Sequence, residues 1–437
     1  MKQKWKHYSK MFRTAFQQVK RNWKISLSTF FIIFLASTFI STFLNIFIST
    51  LAMKEEESSA SGFTVIYFAM VFLISIIMVK ITASTNFELK RDQYYDFRIL
   101  GFKNSQIRKI IFYENIIFIL PFIVLSYIIS FPLSKIFINL LINDQILKES
   151  FKLVINPIQV IIYILVATLF VLFLLFVSTS KINVVNTKKI TSRKNKIIFI
   201  IVSIVISLLL MASSIGIYLS NPEINGATYL FGGLFLILSI AFIIKPLSKL
   251  IFFLLTIIFC NSKSTVFSLK EFDYSKDKLL NISIMYIITA FFASYSFSFL
   301  DFGNQFSSTY IETDPNQIYA NGLAFLGKII VIVVGVYSLA MSISSTSIYI
   351  IENINTYKTL MIMGYKKNGI IWHIFKQAIF LCVITTFFAY IPTLFVIISV
   401  DKKVILDLVW LWITIPIFVV GTFLITAILI LIPSIKK

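Results

Sequence analysis

Negative charge is scarce in this chain, with 19 acidic residues against 40 lysines and arginines, and charged residues of all kinds make up only 14% of it. A soluble protein carries nearer a quarter, so a fully hydrated surface is excluded. Histidine and cysteine are rarer still, limited to His7, His373, Cys260 and Cys382. Their separation excludes a disulfide framework and leaves no cluster with metal-ligand spacing. Nothing resembles an activated nucleophile beside a base. Glycine is also sparse. The one stretch with phosphate-loop spacing is Gly364-Tyr-Lys-Lys-Asn-Gly369, and it runs on into Ile370 and Ile371. Lys and Ser or Thr would be needed there to hold phosphate and Mg²⁺. The expectation is a non-catalytic chain with no metal site and no cofactor of its own.

Apolar residues fill the space that charge leaves. They make up 58% of the chain and come in long uninterrupted runs. About 20 apolar residues in a helix cross a bilayer core of roughly 30 Å. Backbone polar groups find no water there, so the runs must be helical. Ten runs qualify: 25–53, 63–81, 111–141, 157–179, 197–219, 226–246, 281–300, 325–350, 370–400 and 404–433. The apolar stretch Leu250–Cys260 is short for a crossing and is read as interfacial, or as prolonging the sixth span. The expected fold is an all-α polytopic membrane protein.

The net charge of +21 resembles that of a nucleic-acid binder, but its placement favours a membrane face. With the N-terminus inside, the outer side keeps only Lys54, Lys135, Lys148, Lys152, Lys328, Lys402 and Lys403 of the 40 basic residues. An excess of Lys and Arg marks the inner side, so both termini are expected inside and no nucleic-acid partner is expected. The first apolar run is too long for a signal-peptide core and is read as a retained span. The high Ile, Lys, Asn and Phe content fits an AT-rich bacterial genome, and hence a bacterial cytoplasmic membrane.

One inner segment occurs twice. Residues 94–112 read YYDFRILGFKNSQIRKIIF and residues 357–375 read YKTLMIMGYKKNGIIWHIF. Tyr94 matches Tyr357, Gly101 matches Gly364, Lys103 matches Lys366, Ile107 matches Ile370 and Phe112 matches Phe375. In each copy a short apolar stripe precedes a glycine: Tyr94, Phe97 and Leu100 before Gly101, and Tyr357, Leu360 and Met363 before Gly364. A glycine at this place ends a helix. Asn104 or Ser105 is expected to cap the helix that follows. The duplication reaches further. Tyr8, Met11, Phe12, Ala15, Phe16, Val19 and Trp23 recur at helical spacing opposite Lys10, Arg13, Gln17, Lys20 and Arg21, a basic amphipathic helix suited to lipid headgroups. Before span seven, FSLKEFDYSKDKLLN resembles it, with Phe272 and Lys276 in the places of Phe16 and Lys20.

Three ionisable residues fall near membrane depth: Glu114, Lys135 and Lys376. Glu114 and Lys376, at similar depth in the two halves, are placed to pair or to snorkel, and Lys135 to snorkel outward. Ser37, Thr38, Ser41 and Thr42 of span one, and Ser342, Ser344, Ser345, Thr346 and Ser347 of span eight, are read as close-packing positions first and as the lining of a polar path second. His373 is read as interfacial.

The glycine elbow carries a resemblance. "FRILGFKNSQIRKIIFYENIIFIL" and, more weakly, "TLMIMGYKKNGIIWHIFKQAIFL" are similar to the signature of the FtsX-like (MacB-type) ABC transporter permeases. The ten-span layout resembles their bacitracin-resistance (Bce-type) branch. The resemblance implies two four-helix halves joined by a two-helix linker. The first half is 1–190 with a coupling elbow at 88–106. The linker is 191–262, and the second half is 263–437 with an elbow at 352–369. It also implies that Tyr94, Phe97, Leu100 and Gly101, and Tyr357, Leu360, Met363 and Gly364, meet a separate ABC-type ATPase. That ATPase, expected as a dimer, would hold ATP and Mg²⁺. The implied role is export of, or resistance and immunity to, an antimicrobial or hydrophobic peptide such as a bacteriocin. The alternative is an FtsX-type mechanotransmitting regulator of a cell-envelope enzyme or a sensor kinase, without transport. The large extracellular domain of Bce-type permeases is represented here only by the loop 301–324, and that of MacB-type relatives only by KEEESSASG. A third class, a membrane enzyme acting on lipid, lacks a catalytic cluster.

Overall fold

The computed structural model describes residues 2–21, 23–52, 58–144, 146–149, 151–154, 193–220, 317–400 and 417–429, with scattered positions between 157 and 172 and between 232 and 258. Every regular element among them is helical: α1 (Lys2–Arg21), α2 (Trp23–Ala52), α3 (Ser58–Leu89), α4 (Arg91–Ile99), α5 (Asn104–Asn143), α6 (Arg193–Ser220), α7 (Gln317–Ile362), α8 (Lys367–Val400) and α9 (Ile417–Leu429). Five stretches are long and apolar enough to cross a membrane: Phe30–Ala52, Phe63–Lys80, Asn104–Asn143, Ile200–Ile217 and Ala324–Ile351. They correspond to spans one, two, three, five and eight. The chain is an all-α multi-pass membrane protein. Span seven, the segment FSLKEFDYSKDKLLN before it and most of the loop 301–324 lie outside the described residues, as do Lys402, Lys403, Cys260 and the start of span ten.

The chain divides into two compact units, residues 1–190 with 303–333, and residues 191–302 with 334–437. In the first, α2 lies against both α3 and α5, and α1 lies against α5. The apolar contact is largely aromatic. Phe30 stacks on Phe122, and the Phe43 and Phe137 ring centroids are 5.0 Å apart. A polar seam runs through the same interface. Asn45 Nδ2 donates to Ser130 Oγ at 3.2 Å, Ser134 Oγ donates to the Thr42 carbonyl at 3.3 Å, and the Tyr163 hydroxyl donates to the Ser37 carbonyl at 2.7 Å. Small side chains let the backbones approach closely enough for these bonds, which hold helices together where burial drives nothing. Ser37 and Thr42, whose carbonyls accept in this seam, are buried, as is Ser41. Pro121 and Pro132 lie inside α5 without ending it. Membrane helices tolerate this because neighbours satisfy the freed carbonyls.

The first unit also takes in the start of α7. There the Tyr67 hydroxyl donates to the Gly322 carbonyl at 2.8 Å, and Lys328 Nζ meets Asp144 Oδ2 at 2.6 Å. A side chain on Gly322 would strike the Phe63 ring, whose nearest atom stands 2.6 Å from the position of a Cβ. Glycine is required here for close approach.

The second unit has one described apolar core, built from α7, α8 and α9. Tyr349, Ile350 and Tyr357 of α7 meet Ile370, Ile374 and Leu381 of α8 and Phe423 of α9. The Tyr349 and Phe423 rings lie 6.2 Å apart. In α6, Ser207 Oγ and Ser239 Oγ are 3.0 Å apart, and Ser214 Oγ donates to the Gly232 carbonyl at 2.8 Å.

Candidate functional site

The duplicated segment folds into the same elbow twice. In the first copy α4 ends at Ile99, with Leu100 as its C-cap. Gly101 takes φ +89°, its N–H donates to the Arg98 carbonyl at 2.9 Å, and the Phe102 N–H donates to the Phe97 carbonyl at 3.0 Å. In the second copy Gly364 takes φ +94°, its N–H donates to the Met361 carbonyl at 3.0 Å, and the Tyr365 N–H donates to the Leu360 carbonyl at 3.0 Å. This pair of crossed bonds is the Schellman ending, which needs a left-handed residue after the cap and so favours glycine. The next helix starts alike as well. The Lys103 carbonyl accepts from Gln106 and Ile107, and the Lys366 carbonyl from Gly369 and Ile370. The repeat read from side-chain identity is thus also a repeat of backbone hydrogen bonds.

One detail of the expected capping is corrected. Asn104 is already helical, and the N-cap is Lys103, at φ −71° and ψ 152°. Its N–H donates to Gln106 Oε1 at 2.9 Å. Glutamine at the third helical position reaches back to the chain entering the helix, so neither Asn104 nor Ser105 is needed as the cap.

The apolar stripes divide into two sets. Tyr94 and Phe97 turn inward with Phe87, Ile107 and Ile111, and the Phe97 ring meets Phe102 edge-on at 5.5 Å. Tyr357 is buried among Ile370 and Ile374, with Leu360 packed against the same cluster. Leu100 and Met363, by contrast, are each 72% exposed, and the residues before them, Ile99 and Ile362, are 70% and 86% exposed. Gly101 and Gly364 lie on the exposed side with them. Each elbow therefore presents a bare apolar pair beside the glycine, held on a base that its own chain buries. The pairs Ile99 and Ile362 do not belong to the expected set. They directly precede Leu100 and Met363, so the exposed surface follows the turn rather than the i, i+3 stripe.

Beneath the elbows the two copies differ in charge. Glu114, on the third turn of α5 beyond Ile107 and Ile111, forms a buried ion pair with Lys90, at 2% and 3% exposure. The Tyr94 hydroxyl donates to the other carboxylate oxygen at 3.4 Å. Burial, and then the Glu114 carboxylate, push the Tyr94 phenol well above its usual range, so it stays a neutral donor. At the matching place in α8 stands Gln377. It is buried, accepts from the Tyr349 hydroxyl at 3.0 Å, and its Nε2 lies 3.2 Å from His373 Nε2. The partner of Glu114 is therefore Lys90, and Lys376 instead lies 5.9 Å from the centre of the Trp372 ring. Of the two placements expected for Glu114, pairing or snorkelling, the first holds, with Lys90 as the partner. Lys135 is exposed on α5, as snorkelling requires. Sequence spacing missed Lys90. The one available signal is that Lys90 and Tyr94 stand one helical turn apart ahead of an acidic residue on the next helix.

Among the described residues no group of His, Cys, Asp or Glu is placed to hold a metal ion. Cys382 lies half-buried on α8.

None of the curated proteins matches the chain. The profile of the FtsX-like permease C-terminal family matches it twice, at residues 64–186 and 325–436. Gly101 and Gly364 fall at nearly the same distance from the start of their matches, so each match carries one elbow. Together the matches cover more than half of the chain, which belongs to the FtsX-like permease family and is a membrane permease subunit of the ABC transporter type.

Proposed function

We propose that this permease receives the movement of a separate ABC-type ATPase dimer through its two elbows and uses it to export, or to protect the cell from, an antimicrobial or hydrophobic peptide. The observation that carries the coupling step is the pair of exposed apolar tips, Ile99-Leu100 and Ile362-Met363, on two elbows of identical backbone hydrogen bonding. Leu100, Gly101, Met363 and Gly364 are the members of the expected contact set that reach outward. Tyr94, Phe97, Tyr357 and Leu360 hold the tips in place. An apolar pair on a short rigid turn fits a groove in a partner, the usual way a few central residues dominate an interface. One chain carries both elbows, so a single copy serves a twofold ATPase. In this reading the elbows and both termini face the cytoplasm, and ATP and Mg²⁺ are bound by the partner. The peptide class rests on the Bce-type resemblance.

The test is co-purification of the ATPase encoded beside this gene, set beside a peptide-susceptibility assay. Leu100→Asp with Met363→Asp should abolish the complex, because burying two unpaired carboxylates costs more than the contact returns. Retention of the ATPase by the double variant would refute the docking assignment. Intact docking with unchanged susceptibility to every peptide would replace transport by the mechanotransmitting regulator.

A further inference from the structure

Helix α1 has three faces, and docking on α5 uses only one of them. Met11 and Ala15 are buried against Ile110 of α5. Phe12 and Phe16 are about half exposed, and Trp23 at the start of α2 is too. Arg13, Gln17, Lys20 and Arg21 are exposed on a third sector. The helix also carries Lys2, Lys4, Lys6 and Lys10 in its sequence, and no acidic residue. The aromatic face continues into an apolar one. The Phe12 ring meets Tyr113 edge-on at 5.9 Å, and the neighbouring Phe112 opens the exposed row that runs along α5 through Leu120, Val124 and Ile128. That row belongs to a membrane span, so the aromatic face of α1 borders the same lipid. The basic sector then stands at headgroup height, where cationic side chains meet lipid phosphates.

We infer that α1 is a binding surface for anionic phospholipid and that its lipid contact reaches the first elbow through Phe102. Phe102 packs against both clusters, that of Met11, Ala15 and Ile110 and that of Tyr94, Phe97 and Ile107. It is also the residue whose N–H closes the elbow on Phe97. Seating α1 on an anionic leaflet therefore bears on the side chain of the residue whose N–H closes the turn. The matching segment before span seven carries Glu271, Asp273 and Asp277 among its lysines, which weakens any attraction to an anionic leaflet. The inference is independent of peptide transport and of ATPase docking.

The experiment is hydrogen exchange on the full chain in nanodiscs of phosphatidylcholine, with and without phosphatidylglycerol. Each Lys or Arg beside an anionic surface contributes about fivefold. Exchange across α1 should slow by roughly tenfold or more when phosphatidylglycerol is present, and residues 97–107 should slow with it. The triple variant Arg13→Gln, Lys20→Gln, Arg21→Gln should lose that response, as should the unaltered chain in high salt, where surface charge is screened. The variant Phe102→Ala should keep the response in α1 and lose it in the elbow. No dependence on phosphatidylglycerol, or an equal dependence in the triple variant, overturns the lipid surface. Protection of α1 that appears only when another protein is added overturns it too. An elbow that responds equally in Phe102→Ala overturns the relay.

Discussion

Substituting Glu114→Ala leaves the Lys90 ammonium in a cavity from which water is nearly excluded. Removing one partner of a buried ion pair costs about 3–5 kcal/mol, because the remaining charge has lost both its water and its counter-ion. The Tyr94 hydroxyl loses its acceptor in the same step, for about 1 kcal/mol more. The loss is local. Lys90 and Tyr94 hold the N-terminal end of α4, whose nine residues pack on few others, so α4 opens before the spans do. At about 1.4 kcal/mol per tenfold, amide exchange across 91–102 should accelerate by at least a hundredfold. Exchange in α2 and α3 should stay unchanged. The control is Lys90→Met with Glu114→Leu, which removes both charges and keeps their volume. It should restore exchange in α4 to within about tenfold of the unaltered chain, the remainder being the orphaned Tyr94 hydroxyl. If Glu114→Ala left exchange in α4 unchanged, or if the double substitution were as damaging as the single one, the ion pair would not be what anchors the elbow.

The glycines give a second expectation. Nothing lies within 4 Å of a Cβ built on Gly101 or Gly364, so alanine there meets only backbone strain. Gly101→Ala and Gly364→Ala should each destabilise their turn by about 1–2 kcal/mol, and asparagine, which tolerates the left-handed region, by less; thermal melts in detergent check the order. At the start of α7, Gly322→Ala drives a methyl group into the Phe63 ring and should cost about 1–3 kcal/mol. Phe63→Leu in the same chain should recover part of that loss in the same melts.

The spans were legible in sequence because crossing a bilayer demands an uninterrupted apolar run, and α2, α5 and α7 lie over the runs that showed it. Gly101 and Gly364 were legible because a left-handed residue at a helix end admits few side chains. Side-chain partners were not. A stripe at i, i+3, i+6 shows that Tyr94, Phe97 and Leu100 share a helical face, but not which of them its own chain covers. Burial of Tyr94 and Phe97 depends on α5 returning past α4, which brings in Ile107 and Ile111. The same return sets Glu114 beside Lys90, a meeting that spacing within a single helix does not encode. The Lys103 cap escaped because asparagine and serine are the better intrinsic caps, and the glutamine that reaches back from position 106 outweighed them.

The stems below the two tips are built differently. The first elbow stands on a nine-residue helix set apart from α3 by a break at Lys90, whereas the second is the end of one unbroken helix of 46 residues, about 70 Å long. The two tips are therefore carried on unlike supports. The first stem is interrupted at Lys90, where the buried pair with Glu114 ties it to α5, whereas the second runs on without interruption. In the proposed coupling, a twofold motor would thus grip two tips of matching shape that rest on unlike stems.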